Sequence, residues 1–98
     1  MTTPEGKVKE KIKKLLKAHG AYYHCPVQNG MGAPTLDFIG CHKGRYYSIE
    51  AKAGSKQPTE MQKHTMLEIR KAGGHPFVVN EFTGLEELEW WLTEARNA

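Results

Sequence analysis

Two carboxylates and an ammonium, Asp37, Glu50 and Lys52, flank the turn-forming run His42-Lys43-Gly44-Arg45. If the segments on either side pair as a hairpin centred between Lys43 and Gly44, Asp37 falls opposite Glu50. A two-residue or a four-residue loop gives this register, and a three-residue loop does not. Opposed side chains share a face, with Cβ atoms roughly 5 Å apart. Lys52 lies two residues beyond Glu50 and projects from the same face. The other face carries Phe38, Tyr47 and Ile49, which can enter a core. Like charges directly opposed destabilise a strand pair, so positive charge is expected between them. Lys52 supplies one charge. A hard divalent cation such as Mg²⁺, which takes oxygen ligands from one or two carboxylates plus substrate phosphate, would supply the rest. The plain alternative is a surface hairpin with a loose salt bridge among the three residues.

The elements that must position these residues follow from periodicity. After Pro4, apolar residues recur at Val8, Ile12, Leu15 and Leu16, one face of a helix, and Gly20 ends it with the logic of a helix C-cap. Ala21 to Val27 is aromatic and β-branched and reads as a strand. Gln28 to Ala33 is a glycine-rich loop. Leu36 to Cys41 and Arg45 to Lys52 form the hairpin. Thr59 with Gln62 reads as a capping box opening a second helix, which ends at Gly73-Gly74. Pro76 to Asn80 is a short strand. Thr83 with Glu86 repeats the capping-box pattern, and Leu85, Leu88, Leu92 and Ala95 form the stripe of a last helix. The helix after the hairpin crosses over to the last strand. This order predicts a mixed sheet flanked by helices, in the α/β (α+β) class.

At 98 residues the chain predicts one domain spanning 1–98, long enough to bury a core without disulfides. A net charge of +3 tolerates a polyanionic partner without proving one. The two cysteines, Cys25 and Cys41, lack CxxC spacing and read as free thiols in a reducing compartment. The N-terminus has no signal-peptide pattern, and no apolar run is long enough to cross a bilayer. The expectation is a soluble, cytoplasmic protein with no membrane partner. His24-Cys25 and Cys41-His42 match no familiar zinc spacing, and neighbours on a strand face opposite ways.

Several of these segments resemble a known family. Gly32-Ala33-Pro34-Thr35-Leu36-Asp37, Ile49-Glu50-Ala51-Lys52-Ala53-Gly54, Pro58-Thr59-Glu60-Met61-Gln62 and Ala72-Gly73-Gly74 look like the stand-alone VRR-NUC domain, a branch of the PD-(D/E)XK nucleases found in bacteriophages and in DNA-repair enzymes. The resemblance runs from about Glu5 to about Val79. It implies the αβββαβ restriction-endonuclease-like core, here with an extra C-terminal helix. Two departures stand out. Thr35 and Leu36 separate Pro34 from Asp37, where the family commonly has proline and aspartate adjacent. Met66 stands where an aromatic residue often follows the glutamine.

By this resemblance, Asp37, Glu50 and the backbone carbonyl of Ala51 would bind Mg²⁺, for which Mn²⁺ may substitute. Lys52 would orient the attacking water or stabilise the transition state, and Gln62 would stand near the site besides capping its helix. Glu5 is the expected further carboxylate, because it falls in the arc of Val8, Ile12 and Leu16. It could equally be a favourable charge on the first helical turn. Glu10 is expected to pair with Lys14 on the surface. Lys43, Arg45 and Lys56 are the expected DNA contacts. Gly30 and Gly32 could bring backbone amides to a phosphate. The lysines of the first helix, Lys7, Lys11 and Lys14 with Lys9, Lys13 and Lys17 beside them, could hold phosphates or form a solvated face. Trp90 and Trp91 should divide into one buried and one exposed residue.

The expected activity is metal-dependent endonucleolytic hydrolysis of DNA phosphodiesters, on duplex, nicked or branched forms. A homodimer would allow cutting of both strands, and a phage source would put the protein in its host's cytoplasm. The rivals are a non-catalytic or partner-dependent DNA-binding module on the same scaffold, and a ribonuclease.

Overall fold

The computed structural model describes residues 3–27 and 35–95. Its elements run α1 (Pro4–Ala18), β1 (Tyr22–His24), β2 (Phe38–His42), β3 (Arg45–Ala51), α2 (Glu60–Lys71), β4 (His75–Val79) and α3 (Leu85–Ala95). The four strands form one sheet in the order β1-β2-β3-β4. β1 and β2 pair antiparallel, as do β2 and β3, while β4 lies parallel to β3. Helix α2 makes the crossover that a parallel pair requires. This is the mixed α/β sheet expected, with the additional C-terminal helix in place.

Helix α1 starts where Thr3 caps it, its hydroxyl accepting from the Gly6 amide at 3.0 Å, with Pro4 in the first turn. It ends at Gly20, whose φ of 69° suits a left-handed C-terminal residue. Val8, Ile12 and Leu16 are buried, and with Leu88, Trp91 and Leu92 of α3 they cover one face of the sheet, packing on Phe38, Tyr47, Ile49, Ala51, Phe77 and Val79. Helix α2 covers the other face with Thr65 and Met66. Met66 is thus a packing position, which accounts for an aliphatic side chain there. Covered on both faces, β3 is buried from Tyr47 to Ala51, as a central strand beside a parallel neighbour must be.

The hairpin register is as expected. His42 pairs with Arg45 and Phe38 with Ile49, across a two-residue turn in which Lys43 (φ 53°) and Gly44 (φ 82°) both take the left-handed conformation that matches strand twist. The first strand is shorter than its composition suggests. Cys25, Pro26 and Val27 leave the sheet, and Val27 is 91% exposed. Pro26 has no N–H to give to a ladder. Glu10 pairs with Lys13 at 3.8 Å, one position short of Lys14. The Thr83-Glu86 box is not formed. Asn80 Oδ1 takes the Phe82 and Thr83 amides instead, each at 2.7 Å, and α3 begins one residue later than that box would require. Trp91 is buried and Trp90 is exposed, as expected.

Gly40 lets the edge strand approach. A Cβ there would collide with the Tyr22 carbonyl and with the Tyr47 hydroxyl that bonds to it. Gly40→Ala is expected to cost about 2–3 kcal/mol, at the upper end of overpacking, read from urea unfolding.

Candidate active site

Extending the β2–β3 ladder one step past Phe38↔Ile49 sets Asp37 against Glu50. The ladder stops at Phe38, and Asp37 uses its side chain in place of its backbone: Oδ2 accepts the Ala51 amide at 2.9 Å. Residues of an extended strand aim N–H and C=O to the same side. The Ala51 carbonyl therefore projects toward Asp37 as well. Glu50, on the α2 face, is only 3% exposed. Its Oε2 accepts from Gln62 Nε2 at 2.8 Å and pairs with Lys52 Nζ at 3.3 Å. Gln62 at the same time completes the capping box, its Oε1 accepting the Thr59 amide at 2.9 Å while the Thr59 hydroxyl accepts the Gln62 amide at 3.1 Å. One residue both starts α2 and fastens that helix to the site.

Both favourable contacts fall on Oε2. Glu50 Oε1 is buried with no hydrogen-bond partner, and the only other such side-chain atom among the described residues is Trp91 Nε1. Leaving a buried acceptor unmatched costs about 1–3 kcal/mol, and more when it is charged. Burial first, and the Asp37 charge second, push the Glu50 carboxyl up to about 7, against the opposing pull of Lys52. Lys52 alone therefore does not offset the burial of the Glu50 charge beside Asp37. Two carboxylates, one of them with an orphaned oxygen, and a strand-end carbonyl fit a hard cation that keeps part of its shell for water and phosphate.

Glu5 does not join them. It pairs with Lys9 at 3.6 Å, and Lys9 in turn pairs with Asp37 Oδ1 at 3.6 Å. The ammonium thus links the two carboxylates. Among the described residues no group of three or more His, Cys, Asp and Glu side chains converges as a metal site, and Glu5 stands at this end of the sheet, linked to Asp37 through Lys9. Glu5, Lys9, Lys13, Cys25, Pro26 and Asp37 line a common cleft of about 470 Å³. Lys9 was missed as a site residue. Spacing signals its pairing with Glu5, one turn away, where i,i+4 pairs form, but not its pairing with Asp37.

The expected DNA contacts separate. Lys56 lies on the loop that leaves β3 beyond Lys52. Lys43 and Arg45 do not lie near the site. Arg45 and Glu50 stand toward opposite ends of β3, about 17 Å apart at the rise of an extended strand, and Arg45 lies over the Trp91 ring at 5.7 Å. Lys43 in the hairpin turn and Arg45 just after it stand at the end of the hairpin opposite the carboxylates. Gly30, Gly32 and Pro34 lie outside the described residues. His42 is buried with Nε2 2.9 Å from the Leu92 carbonyl. That nitrogen must carry a proton, since a carbonyl only accepts. Cys25 and Cys41 are exposed free thiols.

Gln62→Glu separates capping from the site. Glutamate serves a capping box as well as glutamine does, but here it would set a third carboxylate against Glu50. The variant is expected to stay folded and to lose about 1–2 kcal/mol, since like charges on buried carboxylates repel. Thermal melts at pH 8 and pH 5.5 check this, and the loss should shrink at the lower pH. Comparison of the chain with protein-family models and with curated proteins finds no match.

Proposed function

We propose that this protein is a divalent-metal-dependent endonuclease that hydrolyses DNA phosphodiesters, of the VRR-NUC kind its motifs resemble. The observation that carries the reading is the buried, unpartnered Glu50 Oε1 beside Asp37 and Lys52. Mg²⁺, or Mn²⁺ in its place, held by Asp37, Glu50 and the Ala51 carbonyl would polarise the scissile phosphate and acidify water at the site. Gln62 holds the Glu50 carboxylate in one orientation, and the Ala51 amide does the same for Asp37. As water attacks phosphorus and the bond to the 3′ oxygen breaks, negative charge grows on the phosphate. The Lys52 ammonium neutralises it. The water proton passes to solvent, the leaving 3′ oxygen takes a proton back from it, and the products are a 5′-phosphate and a 3′-hydroxyl.

The preference for DNA over RNA rests on the resemblance, since this chemistry serves either backbone. A single chain offers one site, so cutting both strands calls for a homodimer or for two events. No helix among the described residues is long and apolar enough to cross a membrane, and free thiols suit the cytoplasm.

The test is end-labelled duplex, branched and nicked DNA, with RNA counterparts, incubated with Mg²⁺ or Mn²⁺. Cleavage of DNA leaving ligatable 5′-phosphate ends is expected. Cleavage of RNA alone would reassign the substrate. No cleavage of any substrate would turn the reading to a non-catalytic or partner-dependent DNA-binding module.

A further inference from the structure

The loop joining β4 to α3 is held at nearly every residue. Asn80 Oδ1 accepts the Phe82 and Thr83 amides at 2.7 Å each and the Thr83 hydroxyl at 3.3 Å. The Asn80 amide donates to the Thr83 carbonyl at 2.9 Å. Glu81 accepts the Gly54 amide at 2.6 Å, tying the loop to the segment that follows Lys52. Gly84, at φ +96°, packs so closely on the Val78 carbonyl that any side chain there would collide with it. Amid this bracing the Phe82 ring is 80% exposed. A lone exposed aromatic is ordinary on a surface. Here the aromatic is fixed by its own loop and shares a cleft with Lys11.

The surroundings say for what. The Lys52 amide bonds to the Val79 carbonyl at 2.9 Å, so the loop leaves the sheet at the end that carries the candidate active site. It lies one strand spacing, about 5 Å, from the end of β3. Phe82 and Lys11 line one cleft of about 480 Å³, and Lys7 and Lys11 line the adjoining one with Glu81. Three acids also line the first cleft, Glu86 and Glu87 on its α3 side and Glu81 beside Lys11. Glu81 is turned to the Gly54 amide, which holds its carboxyl below the usual range. On the α1 side of the ring Lys7 and Lys11 outnumber Glu81, whereas the α3 side carries the acids Glu86 and Glu87, so phosphates are directed to the α1 side. An exposed aromatic face beside a row of cations is the arrangement that binds single-stranded nucleic acid, because every base has a π-face to stack.

We propose that Phe82 is a stacking platform for an unpaired base of the DNA strand, with Lys7 and Lys11 taking the adjoining phosphates. The inference deepens the nuclease reading and rests on it. It makes the favoured substrate one with an unpaired nucleotide next to the duplex, such as a gap, a flap or a branch. A fully paired duplex offers the ring no free base.

The experiment uses the full chain with gapped DNA carrying 2-aminopurine at the unpaired position, bound in Ca²⁺. The wild-type protein is expected to quench the probe, and Phe82→Trp to keep the quenching. Phe82→Ala should lose it and bind gapped DNA roughly tenfold more weakly, the typical loss of one stacked base. Binding of paired duplex should change by no more than about twofold, as for an ordinary surface substitution. An abasic nucleotide in the gap should weaken the wild-type protein to the level of Phe82→Ala. Lys7→Ala with Lys11→Ala should flatten the salt dependence of binding. Circular dichroism verifies that each variant folds. Unchanged quenching and affinity in Phe82→Ala, with wild-type cleavage intact, would overturn the stacking site and leave the nuclease standing. Failure of the wild-type protein both to bind and to cleave any DNA would overturn both.

Discussion

Lys52→Ala is expected to lower DNA cleavage by about 10²–10³-fold, the usual loss when one donor aimed at developing transition-state charge is removed. Nζ stands 3.3 Å from Glu50 Oε2, with the two side chains 13% and 4% exposed, so no solvent shell substitutes for it. Without the ammonium, Asp37 and the Glu50 carboxylate face one another with less compensation, and Glu50, already pushed up to about 7, binds a proton at neutral pH. Protonation protects the fold and disables the site at the same time. The melting temperature should therefore move little while the rate collapses. Lys52→Arg keeps the charge but brings a planar, forked head in place of a compact one, and it should restore only part of the rate. Initial rates of cleavage and thermal melts of the three proteins decide this. Wild-type rates in Lys52→Ala would remove the lysine from the mechanism.

The second large effect is a gain of stability by loss of the site. Without metal, Glu50→Gln is expected to stabilise the protein at pH 8 by about 2–3 kcal/mol, since each pKa unit corresponds to 1.36 kcal/mol. The sign follows from a folded-state pKa raised from 4.5 to about 7. The folded state then holds the proton more tightly than the unfolded chain does. The stability contributed by protonated Glu50 is fully present below pH 4.5, declines as pH rises toward 7 and is gone above it. Glutamine mimics the protonated acid at every pH, so its advantage grows across that window. Its amide can also donate where Oε1 now goes unmatched. In EDTA the wild-type melting temperature should fall from pH 5.5 to pH 8, while that of Glu50→Gln should not. Mg²⁺ or Mn²⁺ should raise the wild-type value at pH 8 through binding to the folded state alone and leave Glu50→Gln unmoved. A wild-type protein no less stable at pH 8 than at pH 5.5 would contradict the buried-charge account.

The residues that could be read from the sequence are those governed by local rules. The buried arc of Val8, Ile12 and Leu16 follows from helical period, and the facing of Asp37, Glu50 and Lys52 follows from the turn at Lys43-Gly44. Thr59 and Gln62 announced their capping box by spacing alone. What was not legible depends on tertiary placement. Lys9 reads from sequence as one of the α1 lysines beside Lys7, Lys11 and Lys14, because only the packing of α1 on the sheet brings it to Asp37. Lys43 and Arg45 were assigned to DNA by charge, yet the same hairpin that aligns the carboxylates carries its turn to the far end of the sheet. Thr83 and Glu86 had capping-box spacing, but Asn80, three residues earlier, takes the amides first. An asparagine that closes a turn on itself competes with the cap it precedes.

The central claim is that the Asp37, Glu50 and Lys52 cluster hydrolyses DNA with a divalent cation. Supercoiled plasmid incubated with the purified protein and Mg²⁺ or Mn²⁺, beside EDTA and Lys52→Ala controls, tests it most directly. Nicking or linearisation that both controls abolish is expected. Cleavage persisting in EDTA would contradict it, as would plasmid left intact by the wild-type protein with either metal.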